Sequence, residues 1–193
     1  MIFEPKWKAL MANTTQPLFS PQQCQDIINA GHQQKQEEAK VGTTTEGGTY
    51  DTKKRITTIS WIPFKVLPQM YKIVERTMLS VNNNHFGYEG MQLTEPGQFT
   101  EYPKGGFYDW HMDADVNCAK EPPVRKLSMT ILLSHPSEFE GGALEFMTER
   151  NTPPDLKQGQ AVFFCSLIRH RVNKVKKGVR RSLVMWFGGP PFK

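Results

Sequence analysis

This chain of 193 residues lacks several features that would have fixed its class at once. It has only three cysteines, Cys24, Cys118 and Cys165. They are odd in number and far apart, which argues against a disulfide framework and makes a reducing compartment the default. No apolar run approaches the length of a membrane span. The opening MIFEPKWKAL carries an early Glu and no continuous apolar stretch, so no secretory signal is read there. A cytoplasmic address is expected. Internal repeats and low-complexity tracts are missing too. Acidic residues are outnumbered by basic ones, 19 to 24, and the excess concentrates in RHRVNKVKKGVRR at residues 169–181. Three readings of that stretch stay open: a solvated basic strand pair, a nucleic-acid patch, or one Arg turned inward onto an anion.

What is present fits one globular domain spanning 1–193, with an ordinary 38% of hydrophobic residues. Ser20-Pro21-Gln22-Gln23 is a helix start: Ser as N-cap, Pro at the first position, Gln three after the cap. A helix is expected from there to about Lys40, with Ile27, Ile28 and Ala30 on its apolar side. VGTTTEGGTYDTKK, residues 41–54, reads as a loop or loose hairpin. RITTISWIP then reads as a strand, and LPQMYKIVERTMLSVNN as a second amphipathic helix. From Tyr88 onward, short β-branched and aromatic runs alternate with turns such as PKGG, HPSEFEGG and VKKG. The expectation is helical support over about 18–85 and a β core over about 86–190, mainly β within an α+β chain, as a barrel or sandwich.

FYDWHMD, residues 107–113, holds the chemistry. If the run is an extended strand, His111 and Asp113 point to one face and Trp110 and Met112 to the other. A third candidate, His170, follows FFCSLIR. Two imidazoles and a carboxylate match the 2-His-1-carboxylate set that binds Fe(II) and leaves positions open. Arg180 lies ten residues after His170, with Ser182 at the same parity. If VKKG is a turn, His170 and Arg180 sit on neighbouring strands of one hairpin. The guanidinium fork then offers bidentate capture of a carboxylate, while Arg181 points outward. Asp115 shares the parity of Asp113 and competes as a ligand. A His/Asp/Cys zinc site using Cys118 is a further alternative. His32, His85 and His135 are read as structural or exposed, without partners. Gly141-Gly142 is read as hairpin geometry and Phe163-Phe164 as core.

YPKGGFYDWHMD, EGGALEF, GQAVFFCS, and His170 followed by Arg180, Ser182 and Trp186 resemble the Fe(II)/2-oxoglutarate dioxygenases, and among them the prolyl 4-hydroxylase-like group, over residues 55–189. The resemblance implies a double-stranded β-helix (jelly-roll) core with N-terminal supporting helices. It implies His111, Asp113 and His170 as iron ligands. Arg180 would pair with the distal carboxylate of 2-oxoglutarate, with Tyr102 and Ser182 as further cosubstrate contacts. Tyr108, Trp186 and Arg55 would face the prime substrate, Arg55 because RITTISWI is similar to the strand after a mobile substrate lid, here residues 41–54. Leu132 departs from the pattern, standing where some prolyl hydroxylases place a tyrosine.

The implied activity is hydroxylation of a C–H bond using Fe(II), 2-oxoglutarate and O2, with ascorbate as a reductant and release of succinate and CO2. The leading substrate is a proline-containing peptide or protein, without a membrane or nucleic-acid partner. A hydroxylase of a free amino acid or other small molecule, or a non-catalytic metal-binding β domain, stands as the alternative. A nucleic-acid demethylase of the same fold is a further branch that the tail after His170 does not match. Neither the oligomeric state nor the hydroxylated residue is named by the sequence.

Overall fold

The structure, a computed structural model, describes residues 9–39, 50–114, 123–148 and 153–191. In chain order it contains β1 (Met11–Asn13), α1 (Pro21–His32), β2 (Glu37–Glu38), β3 (Arg55–Ile56), β4 (Thr58–Ile62) and α2 (Pro68–Val81). β5 (Gln92–Leu93), β6 (Gly97–Tyr102), β7 (Phe107–His111), β8 (Val124–Leu132), β9 (Phe139–Gly141) and β10 (Leu144–Phe146) follow. The chain ends with β11 (Ala161–Cys165), β12 (His170–Val172), β13 (Val175–Gly178) and β14 (Arg180–Gly189). A major sheet runs β1-β11-β8-β14-β6-β4-β2, with β5 also pairing β14. A minor sheet runs β10-β12-β7-β3, and β13 pairs β9. Every pairing is antiparallel.

The two helices form where the sequence signals stood. Ser20 and Gln23 make the reciprocal capping box, and Cys24, Ile27, Ile28 and Ala30 are buried on one side of α1. α1 stops at His32, however, well short of Lys40. The cause is local: the side-chain amides of Gln34 and Gln36 bond to the carbonyls of Ala30 and Gly31. Those bonds satisfy acceptors that every helix end leaves open, and the chain is released into β2. α2 ends in one π-helical turn at Asn82–Phe86.

Both faces of the major sheet are buried, and strand alternation divides them. Phe99, Leu127, Met129, Ile131, Phe163, Leu183, Met185 and Phe187 pack with α1 and α2 into one apolar core. Their neighbours in sequence face the other way. Val162 and Phe164 join Tyr102, Leu144, Phe146 and Val172 in a second core, between the two sheets. Gln98, Thr130, Arg180, Ser182 and Trp186 line a cavity in that same space. The sheet thus separates a dry structural core from a polar chamber.

Two sequence expectations are corrected here. VKKG is a strand, β13, paired with β9. His170 and Arg180 are therefore not hairpin partners: β12 pairs β7 and β10 in the minor sheet, whereas β14 pairs β6 and β8 in the major one. FYDWHMD is also not extended throughout, because β7 ends at His111.

α1 lies so close to β6 that Gly31 has no room for a side chain. A Cβ there would fall 2.4 Å from the Phe99 ring. The gain in helix propensity from Gly to Ala, about 1 kcal/mol, opposes an overpacking cost of about 1–3 kcal/mol. With the contact to a fully buried ring this short, the cost should win. Gly31→Ala is expected to lower the urea midpoint with an unchanged slope; an equal or higher midpoint would contradict this account of the α1–β6 contact.

Candidate functional site

His111 closes β7 and His170 opens β12, and the two are register partners across the minor sheet. A register irregularity follows between His170 and Val172. Asp113 lies past the end of β7, where its backbone N–H and that of Ala114 both donate to the Ser166 carbonyl, at 3.1 and 3.0 Å. This two-pronged bond, rather than strand parity, aims the carboxylate. The Oδ1 and Oδ2 atoms of Asp113 lie 3.8 Å from His111 Nε2 and 3.6 Å from His170 Nε2. One donor atom from each of the three residues falls within 4.8 Å of the others.

The protonation pattern suits a cation. Each Nδ1 is engaged with a backbone carbonyl, His111 with Asp109 at 2.8 Å and His170 with Ile168 at 3.0 Å. Donation there leaves the Nε2 lone pairs facing the carboxylate. Burial, and then the neighbouring His170, hold His111 well below the ordinary histidine range, so it is neutral at pH 7. Burial works against the Asp113 carboxylate, but the adjacent His170 leads the influences that more than offset it, and its pKa is lowered. Asp113 Oδ2 is buried without a hydrogen-bond partner. A buried carboxylate beside two imidazole nitrogens is costly unless something positive sits among them. The donor set fits Fe(II).

Arg180 supplies the complementary feature. It is 3% exposed, and its Nη1 donates to Ser182 Oγ at 3.2 Å. It pairs with no carboxylate among the described residues. Burial lowers its pKa, with Tyr102 opposing, and the guanidinium lies 5.6 Å from the Tyr102 ring centroid. A Cβ on Gly142, whose φ is +65°, would meet Arg180 Cδ at 2.9 Å, so the glycine keeps that side chain's berth clear. A buried cation without a counter-ion costs several kcal/mol. The arrangement is a waiting site for an anion.

All of these groups open into one cavity of about 620 Å³, a size typical of small-molecule sites. His111, Asp113, His170, Arg180, Tyr102, Ser182, Tyr108, Trp186 and Arg55 all line it. Tyr108 stacks on His111, with ring centroids 3.5 Å apart. The Arg55 guanidinium lies 4.3 Å over Tyr108. Met112, expected to point away, lines the cavity as well, because the chain leaves the strand before it.

Sequence reasoning missed Arg125. It forms a two-pronged ion pair with Glu95, at 2.6 and 2.5 Å, and stacks 3.9 Å over the Trp186 ring. Its partners lie far away in the chain, so no local spacing signals it. The edge residues Glu37 and Glu38 also reach the cavity, from a segment expected to be helical.

Two of the other histidines are better partnered than expected. His32 meets Glu101 at 3.1 Å and packs edge-on to Phe99, and His135 bonds Ser137. Three of the seven lysines and arginines in the basic stretch are ion-paired: Arg171 with Glu145, Lys177 with Glu140 and Arg181 with Glu101. Cys24 and Cys165 are free and buried. Asp115, Cys118 and most of the expected lid, residues 41–49, lie outside the described residues.

Residues 97–188 match the profile of the 2OG-Fe(II) oxygenase superfamily. A PKHD-type hydroxylase of Psychrobacter is 35% identical over 95 residues, which is 47% of this chain and 37% of that protein. This chain thus spans well under half the length of that relative. A Pseudomonas putida prolyl-4-hydroxylase structure superposes with a TM-score of 0.70 at 18% identity, covering 94% of each chain. A viral collagen prolyl hydroxylase from Paramecium bursaria Chlorella virus-1, solved with 2OG, gives 0.70 at 21% identity over 94% of this chain and 97% of that one. These likenesses establish the jelly-roll fold. Among the described residues, no helix is long and apolar enough to cross a membrane.

The depressed His111 pKa has a consequence for stability. The unfolded chain takes up a proton at this residue near the ordinary value of 6.5, while the folded metal-free protein does not. Stability contributed by neutral His111 is present above that pH and is lost as pH falls through and below it. Urea titrations of metal-free protein should show a midpoint that declines from pH 7.5 to about pH 5, and a shallower decline for His111→Gln. Equal slopes would contradict a buried neutral His111.

Proposed function

We propose that this chain, whose residues 97–188 match the 2OG-Fe(II) oxygenase superfamily profile, is an Fe(II)- and 2-oxoglutarate-dependent oxygenase that hydroxylates a C–H bond, with prolyl 4-hydroxylation of a peptide or protein as the leading reaction. The whole of 1–193 acts as one such domain in this reading. The observation that carries it is the pairing, in one cavity, of a His-Asp-His donor set with a buried, unpaired Arg180. A peptide substrate is favoured by the likeness in fold to a prolyl-4-hydroxylase and a collagen prolyl hydroxylase.

His111 Nε2, His170 Nε2 and one Asp113 oxygen would hold the metal. Bound there with 2-oxoglutarate and O2, Fe(II) supplies the oxidation of an unactivated C–H bond, with release of succinate and CO2. The remaining work belongs to the chain's own residues. Arg180 neutralises the cosubstrate's distal carboxylate, while Ser182 fixes the guanidinium's direction and Tyr102 borders it. Leu144, Val172 and Val184 wall the cavity with apolar surface, which excludes water from the reacting atoms. Tyr108 braces the His111 ring and, with Arg55 above it, stands on the side assigned to the prime substrate. A free amino acid or other small molecule remains the second reading, because the cavity volume accommodates one.

The test is an aerobic assay with Fe(II), 2-oxoglutarate and ascorbate, offering proline-containing peptides and, separately, free amino acids. Succinate formation coupled to gain of one oxygen by a peptide is expected. Oxygen gain by free amino acids alone would replace the peptide reading, and no substrate-coupled succinate from either set would overturn both. Arg180→Met should weaken use of 2-oxoglutarate by about 30-fold or more, the equivalent of losing a buried charge pair. An unchanged KM for 2-oxoglutarate would remove Arg180 from its assigned role.

A further inference from the structure

Besides Asp113 Oδ2, the cavity wall contains a second buried polar atom without a partner among the described residues: the indole Nε1 of Trp186. One is an acceptor that can only receive a proton, the other a donor that can only give one. Both residues line the same cavity, and Arg125 contacts both of them. Trp186 is 6% exposed and held on its face by Arg125, at 3.9 Å, with Trp61 tilted against it at 6.0 Å. Arg125 is itself gripped by Glu95 and directs Nη1 toward the Asp113 carbonyl at 3.5 Å. Glu95, Arg125 and Trp186 therefore form one chain of contacts that ends at Asp113, from side chain and backbone together.

We propose that Trp186 is a positioning residue for the metal-ligating carboxylate. Its indole N–H donates to the Asp113 oxygen not used for the metal, and the Glu95–Arg125 ion pair clamps the ring at the angle this requires. The inference rests on the metal-site assignment above. The physical gain is mutual, since one hydrogen bond satisfies two buried orphans that would otherwise each remain desolvated. A carboxylate fixed at one oxygen presents the other in a single orientation, and such outer partners commonly set metal affinity. Trp186 would thus act through Asp113 in addition to bordering the substrate.

The test is anaerobic titration of the metal-free full chain with Co(II), whose visible spectrum reports ligand geometry without turnover. Trp186→Phe keeps the ring and removes only the N–H. It should bind Co(II) about 10–100-fold more weakly and with a changed spectrum, while circular dichroism shows the metal-free variant folded as the parent is. Arg125→Lys keeps the charge but loses the flat fork and its stacking, and should weaken binding in the same direction by less. This second variant also carries the test should Trp186→Phe fail to fold. Parent-like affinity and spectrum in the folded variants would overturn the positioning role while leaving the metal site intact. Failure of the parent to bind, or binding unaffected by His111→Ala, would overturn the metal-site assignment and this inference with it.

Discussion

A strand buried on both faces must serve two environments at once, and β14 is where this protein does so. Leu183, Met185 and Phe187 face the helices and contribute to an apolar core. Arg180, Ser182, Val184 and Trp186 face the chamber between the sheets. A one-residue slip in register would carry the guanidinium into the helix-packed core and the apolar side chains into the chamber. Pairing with β6 on one side and β8 on the other pins that register. The site's geometry is therefore inherited from the same alternation that builds the core.

The minor sheet contributes the other half. Its strands are short, and the metal-ligand candidates stand at their ends, where backbone pairing is giving way to turns. His111 and His170 are fixed by strand register and by Nδ1 bonds to nearby carbonyls. Asp113 is fixed by its own N–H and that of Ala114, both donating to the carbonyl of Ser166, whose hydroxyl in turn meets Ser128 of the major sheet at 2.9 Å. The carboxylate is thus tied to both sheets, whereas the imidazoles belong to one. Any relative shift of the sheets would be felt at Asp113 first.

Much of this was legible in the sequence, for identifiable reasons. The capping box before α1, the short strands from Gly97 onward and the inward parity of Arg180 and Ser182 are local signals, and local physics decided them. His111, Asp113 and His170 were found by residue type and order. The strand argument put His111 and Asp113 on one face; in the structure β7 ends at His111, and the turn after it brings the Asp113 carboxylate beside the imidazoles. The premature end of α1 depended on which way two glutamine amides folded back, something composition does not encode. VKKG read as a turn because of its glycine, yet pairing with β9 made it a strand. Arg125 was invisible because its partners, Glu95, Asp113 and Trp186, are brought to it only by the fold.

The central claim is that one dicarboxylate spans the cavity from Arg180 to a metal held by His111, Asp113 and His170. Calorimetric titration of 2-oxoglutarate into anaerobic protein, with and without Fe(II), tests it most directly. The account predicts tight one-to-one binding with Fe(II) and much weaker binding without it, because each end of the ligand then has only half its anchorage. Equal affinity in the two titrations would show that the anion site and the metal site are not bridged, and would contradict the account.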